Sequence, residues 1–466
     1  MNIYIWGYGN RGRLLIDAAV NSSVCIDGVI DSNVSKQGKT YQNHVIEAPY
    51  VIKEKDDVSV CVSYYSSLLV DPIWSELVDN FHIKKERIYS FNEVMKIIYK
   101  DIGIPNICTA DKKQKKLFIG NWTMKLGGVE TWLRDIVKEY STRGIDNTYL
   151  ITDKENSNYP LEIKKNIIDF FYEKTPIYSR EYVEKGINFI VQNLPCTMIF
   201  SRVDELLLAA SLVKKQYTND LKIIMVDHGA CDGMTRDIIS YADSIDSYVA
   251  VSNGIKELLV NQGIESSDIS VMTCPLIIDD SIKRNKSEVL RIGYAGRLEV
   301  FEKRMDIFLK LIAELENNRI DYRLDIAGSG SFSNEIEVFI EQNKLKNKIN
   351  LLGQIDRAEM GNFWSEHDIA INVSDNEGRP ISNMEAMIYG AVPVVTETIG
   401  CLEDVEDGVN GYTVPICDYK TMAKKIKYLS EHREILEEMS KKAQSTMLIK
   451  SSMERHIELW TDILAM

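Results

Sequence analysis

The most informative segment of the chain has two carboxylates around one predicted helix start. Glu377 and Glu385 bound the segment 377–385, which reads Glu-Gly-Arg-Pro-Ile-Ser-Asn-Met-Glu. The preceding run, 368–373, is apolar enough for a buried parallel strand, and Pro380 suits the first turn of a helix because its missing N–H would have no partner there. Strand, loop and helix in this order put the loop at the carboxyl edge of a parallel sheet, where ligands bind. The pattern predicts a site for an anionic ligand that carries hydroxyl groups.

The two acids can serve different parts of such a ligand. Glu377, in the loop, can accept hydrogen bonds from vicinal hydroxyls, and Glu385, about one turn into the helix, can do the same for a second sugar ring. A nucleotide sugar has two such rings with a pyrophosphate between them. The helix start offers backbone amides to that pyrophosphate. In this segment, the residues predicted to bind the nucleotide sugar are Gly378, Pro380, Ile381, Ser382 and Glu385.

Three cations follow an earlier strand-like run, 290–295. They are Arg297, Lys303 and Arg304. Taken alone, these cations are typical of a charged surface loop, and the two acids are typical of solvated helix ends. Together, cations at one strand end and a helix start at another can hold a pyrophosphate while the acids bind the sugars. Because Lys303 is followed directly by Arg304, the sequence leaves open which of the two reaches the phosphates.

These residues resemble the donor site of the family 4 retaining glycosyltransferases. The Glu-x7-Glu spacing, the small-Pro-Val-Val strand that follows it and Gly296-Arg297-Leu298 with Lys303 all match motifs of that family. Further motifs stand in the family's order, so the resemblance covers roughly residues 116 to 440; they lie at 327–330, 351–353, 400–403 and 407–411. The resemblance implies an α/β chain with the GT-B fold, in which two Rossmann-like domains face a cleft. It also implies a retaining transfer from a nucleoside diphosphate sugar, for which we expect a UDP-linked donor.

The resemblance also assigns residues to an acceptor-side domain. Gly127 and Gly128 resemble part of the family's first loop, which closes over the donor phosphates. His228 ends the strand-like run 222–227, and taken alone it is typical of a structural histidine. The family commonly places a histidine in this region beside the donor sugar. The catalytic residues implied are therefore Arg297, Lys303, Glu377 and His228.

Composition limits the classes of protein that the chain can represent. Its 466 residues carry a formal charge of −14, with a pI near 5.1, which argues against a nucleic-acid partner because such a partner needs a broad basic surface. Eight scattered cysteines without a Cys-x-x-Cys pair indicate a reducing compartment, hence the cytoplasm. We expect no transmembrane segment and no signal region, because long apolar stretches are lacking and Met1 leads straight into a strand. The lysine-rich run 112–116 fits a solvated linker and leaves open peripheral contact with a membrane.

Strand-like runs alternate with helical patterns from end to end, which predicts parallel sheets covered by helices. We divide the chain into five segments on this basis. They are a Rossmann-like nucleotide-binding or docking domain (1–98), a linker (99–115), the acceptor-side GT-B domain (116–285), the nucleotide-sugar-binding GT-B domain (286–440) and C-terminal helices (441–466), the last of which crosses back to the acceptor-side domain.

A second glycine pattern opens the chain. Gly7, Gly9 and Gly12 follow a strand-like run and precede a predicted helix, and Asp31 ends the next strand, which is the context of a dinucleotide-binding fingerprint. The segment resembles the small Rossmann-like domain at the front of some sugar acyltransferases, which handles nucleotide sugars. A nucleotide site of its own and a structural or docking role both stay open, because about 95 residues suffice for only one mononucleotide-binding half.

The sequence thus predicts a metal-independent transferase that needs no cofactor besides its nucleotide-sugar substrate. No Asp-x-Asp lies at a strand end, so cations and helix amides would meet the phosphate charge. The acceptor would be a glycan, a lipid-linked molecule or a protein. Two alternatives stay open: a non-enzymatic nucleotide-sugar-binding subunit that supports a partner transferase, and a GT-B sugar-nucleotide epimerase or phosphorylase. A homo-oligomer and a partner protein also stay open.

Overall fold

The computed structural model contains three sheets in which most neighbouring strands are parallel. This agrees with the predicted alternation of strands and helices, and it confirms the α/β class. The structure describes residues 1–20, 22–53, 55, 57–64, 67–107, 116–120, 128–142, 148–152, 166–170, 178–229, 232–272, 274–285 and 287–465.

The first sheet has six strands. They are β1 (Asn2–Trp6), β2 (Cys25–Ile30), β3 (Thr40–Tyr41), β4 (His44–Glu47), β5 (Val60–Val62) and β6 (Ile88–Ser90), accompanied by α1 (Asn10–Ala19), α2 (Ser67–Asp79) and α3 (Phe91–Ile98). The order across the sheet is β3-β4-β2-β1-β5-β6, and only the β3–β4 pair is antiparallel among these strands. The chain leaves β1 toward β2 and later returns to β5 on the other side. The loops after β1 and β5 therefore flank the topological switch point of this sheet.

The second sheet has seven strands in the order β13-β12-β11-β10-β7-β8-β9. They are β7 (Lys116–Gly120), β8 (Thr148–Thr152), β9 (Ile167–Asp169), β10 (Cys196–Phe200), β11 (Leu221–Asp227), β12 (Ser247–Ala250) and β13 (Ile269–Val271). The helices are α4 (Gly128–Thr142), α5 (Arg180–Asn193), α6 (Glu205–Lys214), α7 (Asp232–Ile239) and α8 (Asn253–Asn261). Residues 205–213 of α6 are all buried, which explains why that helix is apolar on every side.

The third sheet has six parallel strands in the order β16-β15-β14-β17-β18-β19. They are β14 (Leu290–Ala295), β15 (Tyr322–Ala327), β16 (Ile349–Gly353), β17 (Ile369–Asn372), β18 (Val392–Thr396) and β19 (Tyr412–Val414). The helices are α9 (Met305–Asn317), α10 (Ser333–Gln342), α11 (Met360–Ser365), α12 (Ile381–Ile388), α13 (Ile399–Leu402), α14 (Tyr419–Glu431), α15 (Arg433–Lys450) and α16 (Met453–Ala465). Strands buried on both faces explain the near-continuous apolar runs in this part of the sequence.

Contacts divide the chain into two compact units. The first comprises Met1–Asp227, Cys231–Val249 and Leu258–Ser270, and the second comprises His228–Ala230, Ala250–Glu257 and Val271–Met466. The segments 1–98 and 116–285, predicted as separate domains, thus contribute mainly to one unit. The five-part division stays a prediction. So does the crossing of the last helix, since α16 is grouped with the second unit.

Over the described ranges, no helix is both long enough and apolar enough to span a bilayer.

Candidate active site

The switch point of the third sheet lies between β14 and β17. These strands are parallel neighbours, with Ile292 opposite Ile369, and the chain passes through β15 and β16 on one side before it returns to β17 on the other. The loop after β14 carries Arg297 and Lys303, and the loop after β17 carries Glu377. The fold therefore brings the predicted cations and the first predicted acid to the same sheet edge, where open α/β sheets bind ligands.

Glu377 is the centre of a buried polar network. Its Oε1 lies 2.5 Å from the ammonium nitrogen of Lys303, and the two side chains are 10% and 19% exposed. The same oxygen accepts hydrogen bonds from the Ser374 hydroxyl at 2.7 Å and from the Asn372 amide at 3.3 Å. Three donors on one oxygen hold the carboxylate in a single orientation.

The structure separates the two neighbouring cations that the sequence could not distinguish. Lys303 contacts Glu377, whereas the Arg304 guanidinium makes two 3.0 Å contacts with Asp306 and lies 3.3 Å from Asp375 and 3.1 Å from the Cys417 sulfur. The hydrogen bond to Asp306, and next that to Cys417, raise the pKa of Arg304 above its ordinary value. Arg304 thus joins neighbouring loops, and Lys303 is the cation next to the predicted sugar-binding acid.

An unusual backbone conformation presents Lys303. The residues on either side of it, Glu302 and Arg304, both have positive φ angles, 62° and 51°. Non-glycine residues rarely adopt this left-handed region, and such residues are concentrated at ligand-binding sites. The turn is fixed by the Asp375 N–H, which donates to the carbonyl of Glu302 at 3.0 Å.

Arg297 lies in a different environment from Lys303. Its side chain is 62% exposed and pairs at 3.0 Å with Glu302, and an exposed pair of this kind is weak because solvent screens it. Its backbone carbonyl accepts a hydrogen bond from the buried Tyr294 hydroxyl at 3.0 Å. Burial, and next the charge of Glu377, raise the pKa of Tyr294 well above its ordinary value. The Arg297 backbone is therefore fixed, and its guanidinium remains in solvent.

Helix α12 begins where the sequence predicted. Pro380 precedes it with extended backbone, and among the described residues no side chain caps it. Its first turn, with Ile381 and Ser382, is half-buried, and so is Glu385 further along the helix. An uncapped helix start leaves backbone N–H groups for an anion. This places the amides, Glu377 and Glu385 on consecutive parts of one loop–helix segment.

Gly378 is required by close backbone packing. A Cβ atom added at Gly378 would overlap the carbonyl oxygen of His228, and one added at Gly400 would lie 2.5 Å from the carbonyls of Glu377 and Gly378. His228 is half-buried, and its residue range is grouped with the second unit. The predicted histidine therefore lies against the loop that carries the acid.

Sequence reasoning missed the ion pair that anchors this loop. Arg379 contacts both carboxylate oxygens of Asp404, at 2.9 and 2.6 Å, and the two side chains are 3% and 4% exposed. Arg379 also donates to the carbonyl of Val251 at 3.0 Å. Asn372 and Ser374 were missed as well. Their signal was present, since both are polar residues at the end of a strongly apolar strand.

Two predicted donor-binding residues belong to the segment between β7 and α4. Gly127 lies outside the described residues, and Gly128 is the first residue of α4. Their predicted contact with the donor stays a prediction.

The predicted glycine pattern at the N-terminus has clear packing roles. Gly7 has a φ of 115°, and a Cβ atom there would lie 2.8 Å from a ring carbon of Tyr64. A Cβ atom at Gly12 would overlap the carbonyl oxygen of Gly7, whereas Gly9 is open to space. Asp31 follows β2 and is fully buried. The four residues are brought together as a fingerprint predicts, and a nucleotide there stays a prediction.

Within the part of the chain that the structure describes, no three His, Cys, Asp or Glu side chains are grouped to hold a metal ion.

Comparisons with known proteins agree with this geometry. Residues 278–446 match the family model described as Glycosyl transferases group 1, and this range contains the loops after β14 and β17. The chain is 26% identical over 242 residues to poly(ribitol-phosphate) alpha-N-acetylglucosaminyltransferase of Staphylococcus aureus (strain COL), covering 51% of this chain and 47% of that protein. It is 23% identical over 309 residues to lipopolysaccharide 1,6-galactosyltransferase of Escherichia coli (strain K12), covering 64% of this chain and 84% of that protein.

A solved structure establishes the fold. Anabaena HepE in complex with UDP-glucose superposes with a TM-score of 0.63 at 16% identity, covering 76% of this chain and all of that one. The architecture is GT-B. The segment 278–446 is thus similar to the group 1 glycosyltransferases, and the solved structure adds the fold. The first relative named above is matched over less than half of its length, so its activity is not carried over from the match alone.

Proposed function

We propose that the protein is a retaining glycosyltransferase that moves a sugar from a UDP-linked donor to a glycan, lipid-linked or protein acceptor. The observation that carries this proposal is the contact of Lys303 with Glu377 at the β14/β17 switch point, beside the uncapped start of α12. A cation and free helix amides suit a diphosphate, and an adjacent carboxylate suits sugar hydroxyls. The UDP-glucose bound to HepE supports the choice of base.

The chemistry needs charge stabilisation on the leaving group. As the glycosidic bond breaks, the UDP oxygen gains negative charge, and a positioned cation that binds this charge more strongly than the ground state accelerates the step. Lys303 supplies the cation that binds this negative charge, and Arg297 supplies a second cation from the same loop. The α12 amides bind the diphosphate without a metal, so transfer continues in EDTA.

The acids bind the two ends of the donor. Glu377 accepts from the hydroxyls of the transferred sugar, and Glu385 accepts from the ribose. In this proposal His228 is beside the transferred sugar, and the packing of its carbonyl against Gly378 supports that position. Attack from the face that the diphosphate leaves gives retention of configuration, which the resemblance implies. The acceptor is a hydroxyl-bearing molecule, and transfer occurs in the cytoplasm.

The experiment has two stages. A thermal-shift screen of nucleoside diphosphates and their sugars identifies the donor, for which we expect UDP-sugars to raise the melting temperature more than ADP- or GDP-sugars. Transfer to glycan and polyol-phosphate acceptors is then followed by proton NMR, which reads the anomeric configuration of the product. Conversion of donor without acceptor would favour an epimerase, phosphate-dependent turnover would favour a phosphorylase, and binding without any turnover would favour a non-enzymatic subunit. An inverted product would refute retention.

A further inference from the structure

The carboxyl edge of the first sheet is covered by a helix of the second sheet's segment. Both belong to the first compact unit. The loops after β1, β5 and β6 stand side by side at this edge, and α7 packs against α2 there. In an open α/β sheet this is the edge that binds ligands. Its occupant in this protein is therefore informative about the role of the first sheet.

The covering helix places a carboxylate between two helix starts. Asp237 of α7 lies 2.9 Å from the guanidinium of Arg11, in the first turn of α1, and accepts a second hydrogen bond at 2.9 Å from Asn92, in the first turn of α3. The Arg11 side chain is 12% exposed and that of Asp237 is 18% exposed. Arg11 also lies over the Phe91 ring, 5.0 Å from its centroid. Side chains from the first turns of two helices therefore hold one carboxylate at this sheet edge.

Little room remains beside this carboxylate. The cavity at the ends of β5 and β6 measures about 10 Å³, roughly the space of one water molecule. It is lined by Val62, Tyr64, Val70, Trp74, Ser90, Arg236 and Asp237. Arg236 closes it on the α7 side, 5.1 Å from the centroid of the Trp74 ring. A nucleoside diphosphate cannot enter this space.

The acid of the glycine fingerprint is also engaged within the sheet. Asp31 accepts hydrogen bonds from the N–H groups of Tyr8 and Asn33, both at 2.8 Å, and from the Lys36 ammonium at 3.0 Å. It is fully buried. Because Asp31 is buried, a ribose hydroxyl could reach it only after displacing the residues that cover it, whereas in a dinucleotide site the acid is available to the ribose.

We propose that the first sheet is an internal docking domain, in which the Asp237 carboxylate fixes α7 to the side chains of Arg11 and Asn92 at the starts of α1 and α3. The glycine pattern then serves close packing of the β1 loop against Tyr64 and α1. This inference does not depend on the donor site. It predicts one nucleotide site per chain.

The rim of the same interface provides a matched control. Lys96 of α3 contacts Asp243 at 2.6 Å, but Asp243 is 57% exposed. An exposed pair contributes little to stability, whereas neutralising one partner of a largely buried pair leaves the other charge without its counter-ion. Asp237→Asn keeps the shape of the side chain and removes the negative charge that faces Arg11. Asp243→Asn makes the same chemical change at the rim.

The first test is thermal unfolding of the full-length chain. We expect Asp237→Asn to lower the melting temperature by about 5–10 °C and Asp243→Asn by no more than about 2 °C. Arg11→Gln/Asp237→Asn should lose clearly less stability than the sum of the losses in its two single variants, because it removes both charges of the pair together. If Asp237→Asn fails to fold, recovery of folded protein in the double variant still supports the pair. Equal effects of Asp237→Asn and Asp243→Asn, or strictly additive effects in the double variant, would overturn the proposal.

The second test counts nucleotide sites by calorimetry. UDP, ADP and NADH are titrated separately into the wild type and into Arg297→Ala/Lys303→Ala. We expect at most one site in the wild type and none of comparable affinity in the double variant. A second nucleotide site in the wild type would show that the first sheet binds a nucleotide after all. If no sugar transfer is detected but the Arg11 and Asp237 substitutions still have non-additive effects on stability, the proposed function fails and the docking proposal stands.

Discussion

Replacing Lys303 by methionine separates catalysis from stability at the candidate site. Methionine keeps most of the length of the side chain and removes its charge. Glu377 would lose its contact at 2.5 Å but keep the Ser374 hydroxyl at 2.7 Å and the Asn372 amide at 3.3 Å. The carboxylate is therefore not left without partners, and we expect a stability loss of about 2 kcal/mol, between the values for exposed and fully buried pairs.

The loss of activity should be larger. Removing one positioned group that stabilises transition-state charge lowers turnover by about 10²–10³-fold, or roughly 3–4 kcal/mol. The same variant should lose only a few degrees in melting temperature. We therefore expect Lys303→Met to be a folded protein with kcat/KM for transfer reduced by at least about 10²-fold.

Arg304→Met is the matched control, because it removes the neighbouring cation from the same turn. Its guanidinium is held by Asp306 and Asp375, so we expect a comparable loss of melting temperature and less than about 5-fold loss of kcat/KM. Both variants are measured with the same UDP-sugar and acceptor, with melting temperatures determined in the same buffer. Near wild-type kcat/KM in Lys303→Met, or equal losses of kcat/KM in the two variants, would refute the assignment of Lys303.

Three further outcomes are expected. Glu385→Ala should weaken free UDP binding about 10-fold with little change in kcat, whereas Glu377→Gln should lower kcat by about 10²-fold; calorimetry and steady-state kinetics that give the same profile for both would contradict the roles proposed. Asp404→Asn should destabilise the folded protein by about 3–5 kcal/mol, because the largely buried Arg379 guanidinium would lose its carboxylate partner. A loss below about 1 kcal/mol in chemical denaturation would contradict this. Burial, followed by a neighbouring carboxylate, raises the pKa of Glu205 to about 8, so its contribution to stability is present at low pH and is lost as pH rises from about 5 to 8; the unfolding free energy should fall over that range, and less so in Glu205→Gln.

The loop–helix segment was predictable because its signals are local. An apolar run ended by polar residues, then a glycine, then Pro380 before a helical pattern gave the strand, loop and helix that the structure has as β17 and α12. Short-range steric and hydrogen-bonding preferences determine such boundaries. The positions of Glu377 and Glu385 on that segment follow directly from the sequence.

The choice between Lys303 and Arg304 was not predictable, because their partners come from a distant part of the chain. Glu377 lies 74 residues from Lys303, and Asp375 lies 71 residues from Arg304. The left-handed turn that directs the two side chains to different partners contains no glycine, so the sequence gives no local signal for it.

The same limit applied at the N-terminus. Gly7 to Gly12 indicated a strand, a tight loop and a helix, and these are present. The carboxylate at that edge comes from Asp237, 226 residues after Arg11. A fingerprint reports the local backbone, whereas the occupant of the sheet edge depends on tertiary packing.

In the proposed donor site, the Lys303–Glu377 contact also links recognition of the two ends of the donor. The chain has a net charge of −14 and therefore many carboxylates that could attract a diphosphate-binding cation. In this structure the cation Lys303 contacts Glu377. A diphosphate that binds Lys303 competes with Glu377 for the ammonium group. The carboxylate is then available to accept from sugar hydroxyls, while Ser374 and Asn372 keep it oriented. Binding of the phosphate therefore prepares the acid for the sugar, so a UDP-sugar gains from both interactions, whereas free UDP must displace the carboxylate and offers it no hydroxyl group of a transferred sugar in return.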